Sequence, residues 1–294
     1  MAKALVLSGG GAVGVAWQIG VAAGLARGGV TLREADFITG TSAGSVVGAR
    51  IASGGDLEMM VGFYQAMGQQ KAVSETPRVG PSEEQLSALM DHIANILAGD
   101  GTPEQRRAAL GRFALAAQAA PEETIVGPFA DLKDTVWPAN FYCPTIDAET
   151  GELIVWDATS GIGLDRGIAS SCCVPGLFAP VTINGRRYID GGFRSGANAD
   201  LAKGYDRVLI ISLAREAMES GPFVRLGFAA QLDLEIQDLR DNRSEVLLFE
   251  ADAASMNAIG ANTMDQSAAP GALEAGLHQG QAEASRLATF WNRP

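Results

Sequence analysis

Three short stretches combine residue types that do chemistry. The first is Gly40-Thr41-Ser42-Ala43-Gly44, the G-x-S-x-G pattern, placed where an apolar run meets a helical one. A sharp strand-to-helix turn there would hold the Ser42 hydroxyl exposed above the strand ends, ready to attack a carbonyl. With 36 glycines in the chain the pattern also arises by chance, and the plain alternative is a tight turn whose serine caps the next helix. The second stretch is Gly9-Gly10-Gly11-Ala12-Val13-Gly14. Consecutive glycines can aim several backbone N–H groups at a developing oxyanion, and such donors are typically worth about 3–4 kcal/mol in the transition state. The same letters fit the dinucleotide fingerprint, with a pyrophosphate at a helix N-terminus. That fingerprint asks for an acid at the far end of the second strand. Here Glu34 and Asp36 stand at its beginning, and Gly-Thr-Ser stands at its end. A simple strand-to-helix turn is the third reading.

A serine nucleophile needs a base, and histidine is the usual one. The chain has 2 histidines. His92 shares the polar side of a helical pattern with Gln85, Ala88 and Asn95, and His278 sits inside the last helical stretch. Both read as solvated helix surface. The third stretch, Tyr188-Ile189-Asp190-Gly191-Gly192, offers Asp190 as the base instead. Two following glycines would let the carboxylate approach another backbone, although Asp-Gly-Gly is also good turn chemistry. An aspartate works as a base near neutral pH only if burial raises its pKa.

The elements that must position these groups follow from the apolar pattern. Residues 4–7 read as a buried strand, followed by a glycine turn and a helix over 12–27 that is apolar all round. Gly20 and Gly24 on that helix would admit a close neighbour. A second strand over 36–39 leads through the serine turn into a helix over 43–53. Strand, turn and helix, twice over, predict parallel strands with right-handed crossovers and an α/β sheet. From about residue 55 to 128 strand signals stop, and helical patterns around 56–70, 82–98 and 103–119 are separated by Pro77, Pro81, Gly99 and Pro103. This predicts a helical insertion whose Met59, Met60, Phe63, Leu86 and Leu89 line an apolar groove. Strands return at 141–148 and 153–156, and again at 181–183 and 186–189 around Asn184-Gly185, a hairpin signal. A buried strand over 207–212, helices to about 241, a strand over 246–249 and a last amphipathic helix complete the chain. The apolar face of that helix is Leu273, Leu277, Ala284, Leu287 and Trp291.

The order of the three motifs resembles the patatin-like phospholipases. Ser8 to Gly14, then Gly40 to Gly44, then Asp190-Gly191-Gly192 carry the likeness, and Ala169 to Phe178 and Tyr205 to Leu213 are similar to flanking segments of that family. The resemblance implies a three-layer α/β/α fold with a mostly parallel central sheet and a helical insertion. It implies a serine lipid acyl hydrolase that needs no metal or organic cofactor. It casts Ser42 as nucleophile, Asp190 as its base, and the N–H groups around Gly9, Gly10, Gly11 and Ala43 as the oxyanion hole. Two positions depart from the family. Val13 stands where many members have arginine or lysine, which leaves Arg186, Arg187 and Arg194 to supply a cation; and Ala199 replaces a proline often found after Asn198.

Composition bounds the rest. At 294 residues the chain is read as one domain, 1–294, long enough to bury its own core without disulfides or metal. Its 34 acidic and 22 basic residues give a net charge of −12, which argues against nucleic acid as a partner. Cys143, Cys172 and Cys173 match no disulfide framework or zinc spacing and read as buried thiols of a reducing compartment. Residues 4–26 carry no charge, yet their glycines and short apolar run argue against a signal peptide or a membrane span. The expectation is a cytoplasmic hydrolase of a lipid or other ester, able to work at a membrane periphery, of unspecified oligomeric state. The competing readings are a nucleotide-binding oxidoreductase using Gly9 to Gly14, and a non-catalytic lipid-binding protein.

Overall fold

Strands β1 (Lys3–Leu7) and β7 (Arg207–Ser212) read as unbroken apolar runs because both faces of their sheet are covered. In the computed structural model, which describes residues 1–71, 80–213 and 221–293, alternate residues of these strands enter different cores. Leu5, Leu7, Leu209 and Ile211 pack under helices α1 (Gly11–Arg27) and α2 (Ala43–Ala52). Ala4, Val6, Val208 and Ile210 meet Leu232, Ile236 and Leu239 on the opposite face. The result is a three-layer α/β/α arrangement.

The remaining strands are β2 (Phe37–Gly40), β3 (Phe141–Asp147), β4 (Leu153–Trp156), β5 (Val181–Ile183), β6 (Arg186–Asp190) and β8 (Glu245–Glu250). They form an 8-stranded sheet in the order β5-β6-β3-β2-β1-β7-β8, with β4 also on β3. From β3 through β8 the pairs are parallel; β4, β5 and β6 add an antiparallel corner. The strands therefore lie where the apolar pattern expects them, to within a residue or two.

Between β2 and β3 the chain is helical. It forms α3 (Leu57–Lys71), α4 (Glu83–Leu97), α5 (Pro103–Ala116) and the short α6 (Glu122–Val126). Two of these begin with full capping boxes, Ser82 with Gln85 and Thr102 with Gln105, which satisfy free N–H groups at each start. Leu86, Met90 and Ile93 of α4 and Leu110 and Ala114 of α5 share a core with Ile146 and Ile189, so these helices sit on the antiparallel corner. Pro77 lies outside the described residues, as do residues 214–220, the first part of the helical stretch expected after 212.

Later helices are α7 (Leu164–Ser171), α8 (Phe228–Asp241), α9 (Ala253–Ile259) and α10 (Ala269–Trp291). The pattern had announced neither α6, α7 nor α9. Helix α10 buries all five residues of its expected face. Its neighbour is α1, and the two backbones nearly touch. A Cβ on Gly20 would come within 2.2 Å of Leu273 O, and one on Gly276 within 2.3 Å of Trp17 O. That contact is what Gly20 and Gly24 are for. No helix of the described residues is long and apolar enough to cross a membrane.

Candidate active site

The parallel neighbours β1 and β2 end side by side, so the glycine turn and the serine turn lie at one sheet edge. The serine turn is tight enough to explain its own motif. A Cβ on Gly40 would fall 2.1 Å from Gly44 O, and one on Gly44 would fall 2.1 Å from Leu7 O. Ser42 itself adopts φ 52°, ψ −118°, a conformation costing a non-glycine residue on the order of 1–3 kcal/mol. Three side chains hold it there. Ser42 N–H donates to Ser171 Oγ at 3.0 Å, while Ser42 C=O accepts from Ser45 Oγ at 2.6 Å and from Cys172 Sγ at 3.2 Å. Ser42 caps no backbone N–H with its side chain. The plain-cap reading therefore fails, and the hydroxyl goes elsewhere.

Its neighbour is Asp190. The aspartate ends β6, where Thr145 of β3 is its register partner, and its carboxylate accepts from Gly192 N–H at 2.7 Å. Asp190 is 3% exposed. Burial pushes its pKa up to about 7, against the downward pull of the Gly192 N–H and of the neighbouring Ser42 hydroxyl. The buried amide of Asn198 ties the two turns together, donating to Thr41 Oγ1 at 3.0 Å and to Gly191 O at 3.3 Å. Neither histidine takes part, and both are exposed on their helices as expected.

On the glycine turn, Gly9 N–H is occupied by Gly196 O at 2.8 Å. The N–H groups of Gly10, Gly11 and Ala43 have no acceptor among the described residues. Gly9 thus lines the site as a wall, and the free donors of the expected set are the other three. Helices α1 and α2 both start here, so their N-terminal dipoles favour negative charge at the same point.

Ser42, Asp190 and Gly9 to Ala12 open into a cavity of about 1120 Å³. Its walls are largely apolar and include Leu177, Phe178, Phe193, Leu213 and Met256. Of the five groove residues expected from the insertion, Met60, Phe63 and Leu86 line it. Met59 instead points outward, 64% exposed, and Leu89 packs behind the wall against Gly176. All three cysteines are free, and burial pushes Cys143 and Cys173 up to about 12 and Cys172 well above the usual thiol range. They are hydrogen-bonding apolar groups here, unsuited to act as thiolates. Among the described residues no cluster of histidine, cysteine and acidic side chains could hold a metal.

The expected cations do not reach the site. Arg186 pairs with Asp147 at 2.7 Å, Arg187 donates to Pro180 O, and Arg194 pairs with Asp200 at 2.6 Å. None of them lines the cavity, and Val13 is fully buried in the core. The second departure has a local reason: Ala199 N–H donates to the buried Glu235 carboxylate at 2.9 Å, a bond that proline could not make.

A family model described as patatin-like phospholipase matches residues 5–203, which contain both turns and the aspartate. The chain belongs to the patatin-like phospholipase family. Its family is one of lipid acyl hydrolases, and an apolar cavity at the serine turn suits that class. The patatin-like chain is also similar to the crystal structure of VipD from Legionella pneumophila, at TM-score 0.44 and 15% identity, over 97% of this chain and 67% of that one. The crystal structure of the type III effector protein ExoU gives TM-score 0.38 and 16% identity, over 95% of this chain and 53% of that one. No curated protein matches the chain.

Proposed function

We propose that this protein hydrolyses carboxylic esters of lipids, in the manner of a phospholipase A, through an acyl-enzyme on Ser42. Asp190 takes the hydroxyl proton as Ser42 Oγ attacks the carbonyl carbon. The tetrahedral oxyanion is met by N–H groups of Gly10, Gly11 and Ala43, which cost no reorganisation because no other group of the described residues binds them. The ester bond then breaks and the protonated Asp190 returns its proton to the departing alcohol. A water molecule, deprotonated by Asp190 in turn, attacks the acyl-enzyme and releases the acid.

The observation that carries this reading is that Ser42 and the buried Asp190 share one cavity wall, where burial pushes the aspartate's pKa up to about 7. A carboxylate at its ordinary value would be too weak a base, and here its proton affinity matches neutral conditions. The apolar cavity would hold an acyl chain, with the insertion as one wall of a single-domain enzyme. Phe63, 65% exposed at the cavity wall, suits work at the periphery of a membrane, and three free cysteines suit a reducing, cytoplasmic compartment.

Hydrolysis of p-nitrophenyl esters of graded chain length, beside fluorophosphonate labelling, tests the proposal. Wild type should turn over and carry the label on Ser42, and Asp190→Asn should lose roughly 10²–10⁴-fold in kcat. A folded wild type that neither labels nor turns over, with lipid interfaces present, would favour a non-catalytic lipid-binding protein. Calorimetric binding of NAD or NADP would favour the oxidoreductase.

A further inference from the structure

The cavity continues along α2 beyond the serine. Ala43, Val46 and Arg50 all line it, at the spacing that stacks side chains on one helix face. Arg50 stands two turns past Ser42, about 12 Å along the helix axis at the usual rise per residue. Tyr64, Thr124 and Phe129 line the same cavity. Tyr64 is close enough to feel the arginine, whose charge opposes the rise that burial imposes on the phenol.

Among the described residues Arg50 is the sole arginine or lysine in the cavity wall. One arm of its guanidinium, Nη1, pairs with Asp131 at 2.7 Å. That carboxylate is 54% exposed and faces water, whereas the Arg50 side chain is 20% exposed. The Nε–H of Arg50 is buried and has no partner among the described residues. A buried charged donor without an acceptor is costly, and a guanidinium has room for a further oxygen in its planar fork. Arg186, Arg187 and Arg194 are engaged elsewhere, so the recognition once expected of them has no other cation in the described wall.

We propose that Arg50 is a specificity-determining residue: it receives an anionic oxygen of the lipid, phosphate or carboxylate, two helical turns from the ester under attack. The inference rests on Ser42 being the point of attack. The separation has a chemical use. An anion beside Asp190 would hold that carboxyl protonated and disable it as a base, whereas one at Arg50 lies well away from it. A local cation is also needed to admit an anion to a chain whose net charge is −12.

The test reads binding, so it stands apart from turnover. Calorimetry on the full chain carrying Ser42→Ala compares decyl phosphate, decanoate and decanol. At least one anion should bind about tenfold or more tighter than decanol, as charge-assisted bonds to a fork imply. Phosphate ahead of decanoate assigns a head group, and the reverse assigns a carboxylate on the lipid. Adding Arg50→Met should abolish the preference. Asp131→Asn, at an exposed position, should free the guanidinium and raise anion affinity several-fold, which keeps the idea testable if Arg50→Met does not fold. Equal affinity for the three amphiphiles overturns it, as does a preference that survives Arg50→Met or ignores Asp131→Asn. Failure of the Ser42 reading would show separately, as wild-type label on another residue.

Discussion

The turns after β1 and β2 are both glycine-rich and both start a helix, yet they present different things. The serine turn displays a side chain. Its backbone is strained at Ser42, clamped by Ser171, Ser45 and Cys172, and so crowded that Gly40 and Gly44 admit no Cβ. The glycine turn displays backbone. Gly10 is extended at φ 173°, and its N–H and that of Gly11 stay without acceptors among the described residues. The difference teaches what glycine does at each. In one turn it lets strands and helices approach a fixed serine, and in the other it keeps side chains out of the way of donors.

Breaking the display of the side chain should have the largest effect. Ser42→Ala should lower kcat by at least roughly 10⁴-fold and leave melting unchanged or slightly raised, because it removes the attacking atom from a strained position. Stopped assays and a melting curve check both. A steric contrast between Gly44 and Gly10 comes next, since Gly11 of the glycine turn is itself crowded, with a Cβ there falling 2.6 Å from Thr263 O. Gly44→Ala should cost about 3 kcal/mol or more, since its Cβ would sit 2.1 Å from Leu7 O. Gly10→Ala meets nothing nearer than 3.1 Å and should cost about 1 kcal/mol or less. Equal denaturation midpoints for the two variants would erase the comparison.

Asp190→Asn sharpens it through pH. The carboxyl's pKa is raised from 3.8 to about 7 by burial, so the folded state holds its proton more tightly than the unfolded one. Its contribution to stability is complete below about pH 4 and is lost as pH rises through about 7. The asparagine variant should therefore match wild type at acid pH and exceed it at pH 8 by a few kcal/mol at most. Chemical denaturation at both pH values reads this. A further stability effect concerns the support behind the aspartate turn. Ala199→Pro removes a donor from buried Glu235 and should lower stability by about 1–3 kcal/mol. An unchanged midpoint would mean the family's usual proline is simply tolerated.

Much of this was legible in the residues. The central strands β1, β2 and β7 are almost wholly buried and therefore continuous in apolarity, and α10 kept its apolar residues to one face, so periodicity located them. The three motifs were visible because close backbone approach leaves glycine as its signature. Helix α7 was not visible. It spans only 8 residues, three of them Gly167, Ser170 and Ser171, too short and too poor in large apolar side chains for a helical period to stand out. With it went Ser171 and Cys172, whose role as clamps on Ser42 depends on contacts more than a hundred residues apart in sequence. The arginines near Asp190 misled for a related reason. Proximity in sequence says nothing about direction, and each turns to its own partner while Arg50, far along the chain from Asp190, enters the cavity.

The central claim is that Ser42 is activated by a buried aspartate titrating near neutrality. The most direct measurement is the rate of fluorophosphonate labelling against pH, for wild type and Asp190→Asn, with the labelled residue identified by mass spectrometry. The account predicts label on Ser42, a wild-type rate that rises about tenfold per unit below a single midpoint near pH 7 and levels off above it, and a slow rate without that step in the variant. Label on another residue, or a variant that reacts at the wild-type rate with the same midpoint, would contradict it.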